Sequence, residues 1–152
     1  MRPPNLLFNQ YDVSLVLRGR EEAVRQKIQT LDPERFLDES EQEMTAALMA
    51  EFRLNVPTLK RVERQSDIEV RVPFEGDADF FNVLPKTFSS LPPHAEIVRG
   101  ELVIAKHEFE HTIAEINRHL ESLADSAKSF NDGLAGIVAT ELKQRKERLG
   151  LE

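Results

Sequence analysis

His107-Glu108-Phe109-Glu110-His111 matches the pattern H-E-x-x-H. On a helix that spacing sets two histidines one turn apart to bind zinc, while the glutamate activates a water for hydrolysis. The chemistry depends on the helix. On a strand, the histidines would share a face but stand ~13 Å apart at ~3.3 Å per residue. Ligands at about 2.0 Å from one zinc cannot span that. Leu102, Ala105, Phe109 and Ile113 would line a helix, so periodicity alone does not decide. The flanks favour a strand. Leu102-Val103-Ile104 is β-favouring and follows Gly100, and no Ser, Thr, Asp or Asn lies between Gly100 and His111 to cap a helix. The first such residue is Thr112, which makes a Thr-x-x-Glu capping box with Glu115. The spacing therefore predicts a strand over 101–110 and a helix from Thr112. The third ligand also fails, because position 117 is Asn117 and His119 is out of register; Glu141 is a remaining downstream carboxylate. The leading reading has no catalytic residue, bound metal or cofactor. The alternative is a zinc-dependent hydrolase with His107 and His111 as ligands and Glu108 as base.

Two other groups could do chemistry. Glu75, Asp77 and Asp79 offer hard oxygen ligands for magnesium or calcium, but the rest of an EF-hand loop is missing. They read as a turn and a helix cap. Arg53, Lys60, Arg61, Arg64 and Arg71 form a basic interval, but Glu63, Asp67 and Glu69 interleave with it, as on a solvated strand face. The net charge of −7 disfavours non-specific binding to nucleic acid, which depends on neutralising phosphates. With no tryptophan and Tyr11 the sole tyrosine, aromatic platforms for single strands are not evident. A nucleic-acid-binding accessory domain is thus a weaker alternative. No Gly-rich phosphate loop, Ser-His-Asp set or kinase motif occurs.

The elements that would position these residues fit one domain of 152 residues. Cysteine is absent, which excludes disulfides and thiolate sites and makes a cytoplasmic protein the default. No apolar run approaches the ~20 residues needed to span a bilayer. Met1-Arg2-Pro3-Pro4-Asn5 lacks the apolar stretch of a signal peptide. Leu151-Glu152 reads as a cloning remnant.

Tyr11, Val13, Leu15 and Leu17 predict a strand that ends at Gly19. Arg20 to Thr30 predicts a helix with Ala23, Val24, Ile28 and Leu31 on one side. Asp32-Pro33 predicts a new start and a short turn of helix to Leu37. Ser40-Glu41-Gln42-Glu43 is a capping box for a helix burying Met44, Ala47, Leu48 and Phe52, which ends at Val56-Pro57. Ile68, Val70, Val72 and Phe74 alternate as a strand, and Pro73 argues for an edge or a strand end. Leu59 to Arg64 is its candidate partner. Asp77 would cap a short helix over Ala78–Leu84. Pro85, Thr87-Phe88-Ser89, Pro92 and Pro93 read as an ordered loop. Glu96–Val98 is a strand, and Arg99-Gly100 a tight turn.

Ile113, Ile116, Leu120, Leu123, Ala127, Phe130, Leu134 and Ile137 recur at three and four, an apolar seam of four heptads. A helix over about 112–149 would be roughly 55 Å long, against about 40 Å for a compact domain of this size. The helix then overhangs or breaks, and Asn131-Asp132-Gly133 with Gly136 marks a break near 131–136. The seam either packs on its own sheet or pairs with a protein partner or a second copy through Leu120, Leu123, Phe130, Leu134 and Ile137. In the second case Leu120→Asp or Leu134→Asp gives a folded monomer.

Val72-Pro73-Phe74-Glu75-Gly76-Asp77, Pro85-Lys86-Thr87-Phe88-Ser89 and Pro92-Pro93-His94-Ala95-Glu96 resemble the N-terminal region of larger bacterial proteins of unassigned function. Some of these carry a restriction-endonuclease-like domain further along. The resemblance spans roughly residues 50 to 148 and rests on turn-and-strand phrases. It implies a non-catalytic module of a longer, defence-type protein, and no nuclease residues carry over. Gly133 and Gly136 depart from the matching terminal helix, which puts that helix's continuity in doubt.

These readings converge on an α+β fold: an antiparallel or mixed sheet of four to five strands, helices on one face, and a long C-terminal amphipathic helix. The expected function is that of a non-catalytic interaction or recognition module.

Overall fold

A computed structural model describes residues 5–86 and 92–151. Thr87-Phe88-Ser89, within the expected ordered loop and the second resemblance phrase, lies outside the described residues, as does Glu152. The class is α+β, as expected. The chain divides into two compact units: Met1–Val16 with Asn55–Ala127, and Leu17–Leu54 with Lys128–Glu152.

The first unit holds the sheet. In chain order its strands are β1 (Asn5–Leu6), β2 (Tyr11–Asp12), β3 (Thr58–Leu59), β4 (Arg64–Gln65), β5 (Glu69–Glu75), β6 (Val83–Leu84), β7 (His94–Val98) and β8 (Glu101–Ala105). The main sheet runs β1-β7-β8-β5-β3, with β4 also on β5, and its pairings are antiparallel. β2 pairs with β6 in parallel. Val70 and Val72 pair with Ile104 and Leu102, and all four are buried. Arg71 and Val103, on the opposite face, are only half-buried. Ile68, expected inside, is 75% exposed because β5 begins after it. Phe74 is half-buried and meets Phe81 edge-on at 4.9 Å.

Pro73 sits in an inner strand, not at an edge. Its carbonyl accepts from Lys60 N–H at 2.8 Å. In an antiparallel ladder a residue's N–H and C=O point to the same neighbour. The missing donor therefore faces the flank where the expected partner 59–64 is split into β3 and β4, and the ladder with β8 loses nothing. Arg99 (φ 47°) and Gly100 (φ 81°) both adopt the left-handed region, as a two-residue type I′ hairpin requires. Asp77 caps a 3₁₀ helix, Ala78–Asn82, by accepting from Asp79 N–H at 3.0 Å. It replaces the expected helix over 78–84 and buries Phe80 and Phe81.

The expected strand over Tyr11–Leu17 is overturned. Only Tyr11 and Asp12 are extended, and α1 spans Val13–Gln29. Asp12 Oδ1 accepts from Ser14 N–H at 2.8 Å, which opens the helix. Val13, Val24 and Ile28 are buried, with Leu17 and Arg20 half-buried between them, so this stripe has a helical period. Leu15, inward on a strand, is 62% exposed, and Gly19 lies inside the helix.

The second unit is helical: most of α1, then α2 (Arg35–Asp38), α3 (Glu41–Phe52) and the last turns of α4 (Phe109–Arg148). The Ser40–Glu43 capping box forms in both directions. Met44, Leu48 and Phe52 are buried, whereas Ala47 and, in α1, Ala23 face out. Asn131 performs a task its sequence context did not suggest. Its Oδ1 accepts from Leu54 N–H at 2.8 Å and its Nδ2 donates to Leu54 C=O at 2.9 Å. These bonds satisfy both backbone groups of a buried residue just past α3. Asn131→Ala strands both, so an expected loss of about 2 kcal/mol should appear in urea denaturation.

Candidate functional site

β8 stops at Ala105, five residues short of the expected strand end. Lys106 N–H still donates to Ile68 C=O at 2.9 Å, beside the last registered pair of β5 and β8. The chain then turns through a 3₁₀ helix, Lys106–Glu108, and enters α4 at Phe109. No side chain caps this start. The 3₁₀ turn takes that role through its own short-range bonds, including Phe109 N–H to Lys106 C=O. The capping box expected at Thr112 does not form, because Thr112 is buried inside the helix and Glu115 pairs with Arg118 at 3.2 Å. The reading of His107–His111 as a strand end is therefore corrected: the pentapeptide straddles a 3₁₀ turn and the first turn of α4.

His107, Glu108 and His111 line a shallow groove of about 520 Å³ with Gln65, Val70, Lys106, Phe109 and Glu110. The His107 side chain is 78% exposed, and its Nε2 lies 3.5 Å from Glu108 Oε1. Among the described residues no group of three or more His, Asp or Glu side chains is placed to hold a metal ion. Asn117 points to solvent. His119 is a core residue, 2% exposed, with Nδ1 2.7 Å from Glu115 C=O and its ring stacked on Phe8 at 4.8 Å. Glu141 accepts from Arg25 Nε at 3.3 Å.

Members of the other two candidate groups pair within the chain. Glu75 pairs with Lys60, Asp77 is spent on its cap, and Asp79 supplies a backbone N–H to that cap. In the basic interval, Arg64 meets Glu101 at 2.6 Å, and Arg71 meets Glu69 at 3.3 Å and Glu101 at 3.9 Å. These carboxylates offset the charges of Arg64 and Arg71. Perturbed ionisations lie on helix surfaces instead. The Glu21 carboxylate raises Arg25, the Arg35 hydrogen bond lowers Glu39, and the bond to Asp132 raises Lys128, each an i,i+4 pair.

The C-terminal seam is present but displaced. α4 is unbroken for 40 residues, about 60 Å at 1.5 Å per residue. Leu120, Leu123, Phe130 and Leu134 are 5%, 0%, 8% and 1% exposed, so the residues expected at an interface already lie in the chain's own core. Ile113 and Ile137 are half-buried, while Thr112, Val138 and Leu142 are buried in the drifted stripe. Stepping 3.6 residues from Ile116 reaches His119/Leu120, Leu123, Ser126/Ala127, Phe130, Leu134 and Val138. A seam for a partner helix would keep a 3.5 repeat and supercoil. Past Leu134 the buried set leaves the heptad frame, with Val138 rather than Ile137 inside.

Gly133 and Gly136 do not break the helix. Each costs about 1 kcal/mol relative to alanine. Burial of Phe130, Leu134, Val138 and Leu142 returns about 1.5–3 kcal/mol per side chain, which outweighs them. Both glycines face out, with nothing within 4 Å of where a Cβ would stand.

No family model matches the chain, and neither a curated protein nor a solved structure is detectably similar to it. What the fold defines is a class: an α+β protein with an antiparallel sheet and a long C-terminal helix. No helix among the described residues is long and apolar enough to cross a membrane.

Proposed function

We propose that the chain is a non-catalytic, cytoplasmic interaction module of the kind carried by longer bacterial defence-type proteins. A protein partner or a second copy docks on the exposed face of α4, opposite its buried stripe. The observation that carries this is the outward pair Gly133 and Gly136, in an unbroken helix where no neighbour among the described residues requires glycine. Exposed glycines lower the helix profile and let another backbone approach closely. Gly133→Ala with Gly136→Ala is expected to raise stability by about 1–2 kcal/mol. Gly133→Leu or Gly136→Leu should stay folded and lose association in light scattering. A wild-type chain that is monomeric at every concentration overturns the second-copy version. Leucine variants that associate as the wild type does overturn the docking face.

The placement of His107 at a helix start favours a second reading, the zinc-dependent hydrolase. The strand objection no longer applies, and both histidines and Glu108 open on one groove. Two imidazoles still fall short of the three protein ligands of a catalytic zinc site. Protein purified without chelator is expected to hold far less than one equivalent of zinc by elemental analysis. Zinc near one equivalent, lost in His111→Ala, would establish the metal site that the hydrolase reading requires.

A further inference from the structure

We draw no further inference here: the strongest candidate, the outer edge of β7 at Glu96–Val98, which β1 leaves uncovered among the described residues, carries nothing because nothing in the structure shows what covers it.

Discussion

Leu134→Asp is expected to unfold the protein rather than free a folded monomer. Leu134 is 1% exposed, between Phe130 and Val138 on the buried stripe of α4. Removing the leucine forfeits about 1.5–3 kcal/mol of apolar burial. The aspartate then either ionises without a partner in the core or takes up a proton to avoid doing so, and either route costs several kcal/mol more. The sum, on the order of 5 kcal/mol, rivals the whole stability of a typical domain. Circular dichroism in a urea titration should show a collapsed midpoint or no folded baseline. Leu123→Asp, at a position with 0% exposure, should behave alike. A Leu134→Asp chain that keeps its midpoint but changes its mass in light scattering would restore the seam as an interface. The contrast with Gly136→Leu is the useful one, since that side chain projects into open space on the same helix.

The elements with two agreeing signals were legible in the sequence. Ser40 and Glu43 announced α3, and the structure holds both of their bonds. Val70 and Val72 alternated as they do in β5, and Arg99-Gly100 marked the hairpin. Elements with one signal went astray. Val13 to Leu17 is too short to separate a period of 2 from one of 3.6, and the buried Val24 and Ile28 that decide it lie further along. The start of α4 was misplaced because a 3₁₀ turn supplied the cap that a side chain was expected to give. The seam was found, but counting in heptads put Ile137 where the 3.6 period puts Val138. Asn131 had no readable signal, since its partner is the backbone of Leu54, 77 residues away in sequence. At the candidate zinc motif, identity and spacing were visible at once. The exposure of His107 and the burial of His119 depend on where the sheet ends, which no local pattern encodes.

Gly76→Ala is expected to be strongly destabilising, although Gly76 is exposed. Two effects act together. Its φ is +122°, a backbone region that L residues rarely adopt and that costs about 1–3 kcal/mol when forced. A Cβ there would stand 2.7 Å from Pro57 Cα and 2.9 Å from Pro57 N, so the obstacle is backbone rather than a side chain that could swing away. Relief would require moving Pro57 or the end of β5. Pro57 is itself buried, and the neighbouring Asp77 N–H donates to Asn55 C=O at 2.8 Å, which ties the same two segments together. Shifting either segment disturbs the Thr58–Glu75 and Leu59–Phe74 pairs of β3 and β5. A loss on the order of 3 kcal/mol is expected, read as a lower urea midpoint with an unchanged slope. Gly100→Ala separates the two causes. Gly100 has φ +81° but open space around its Cβ position, so it should lose only the conformational part, about 1 kcal/mol. Equal losses at the two glycines would mean that the contact with Pro57 contributes nothing and that the β3 flank is free to give way.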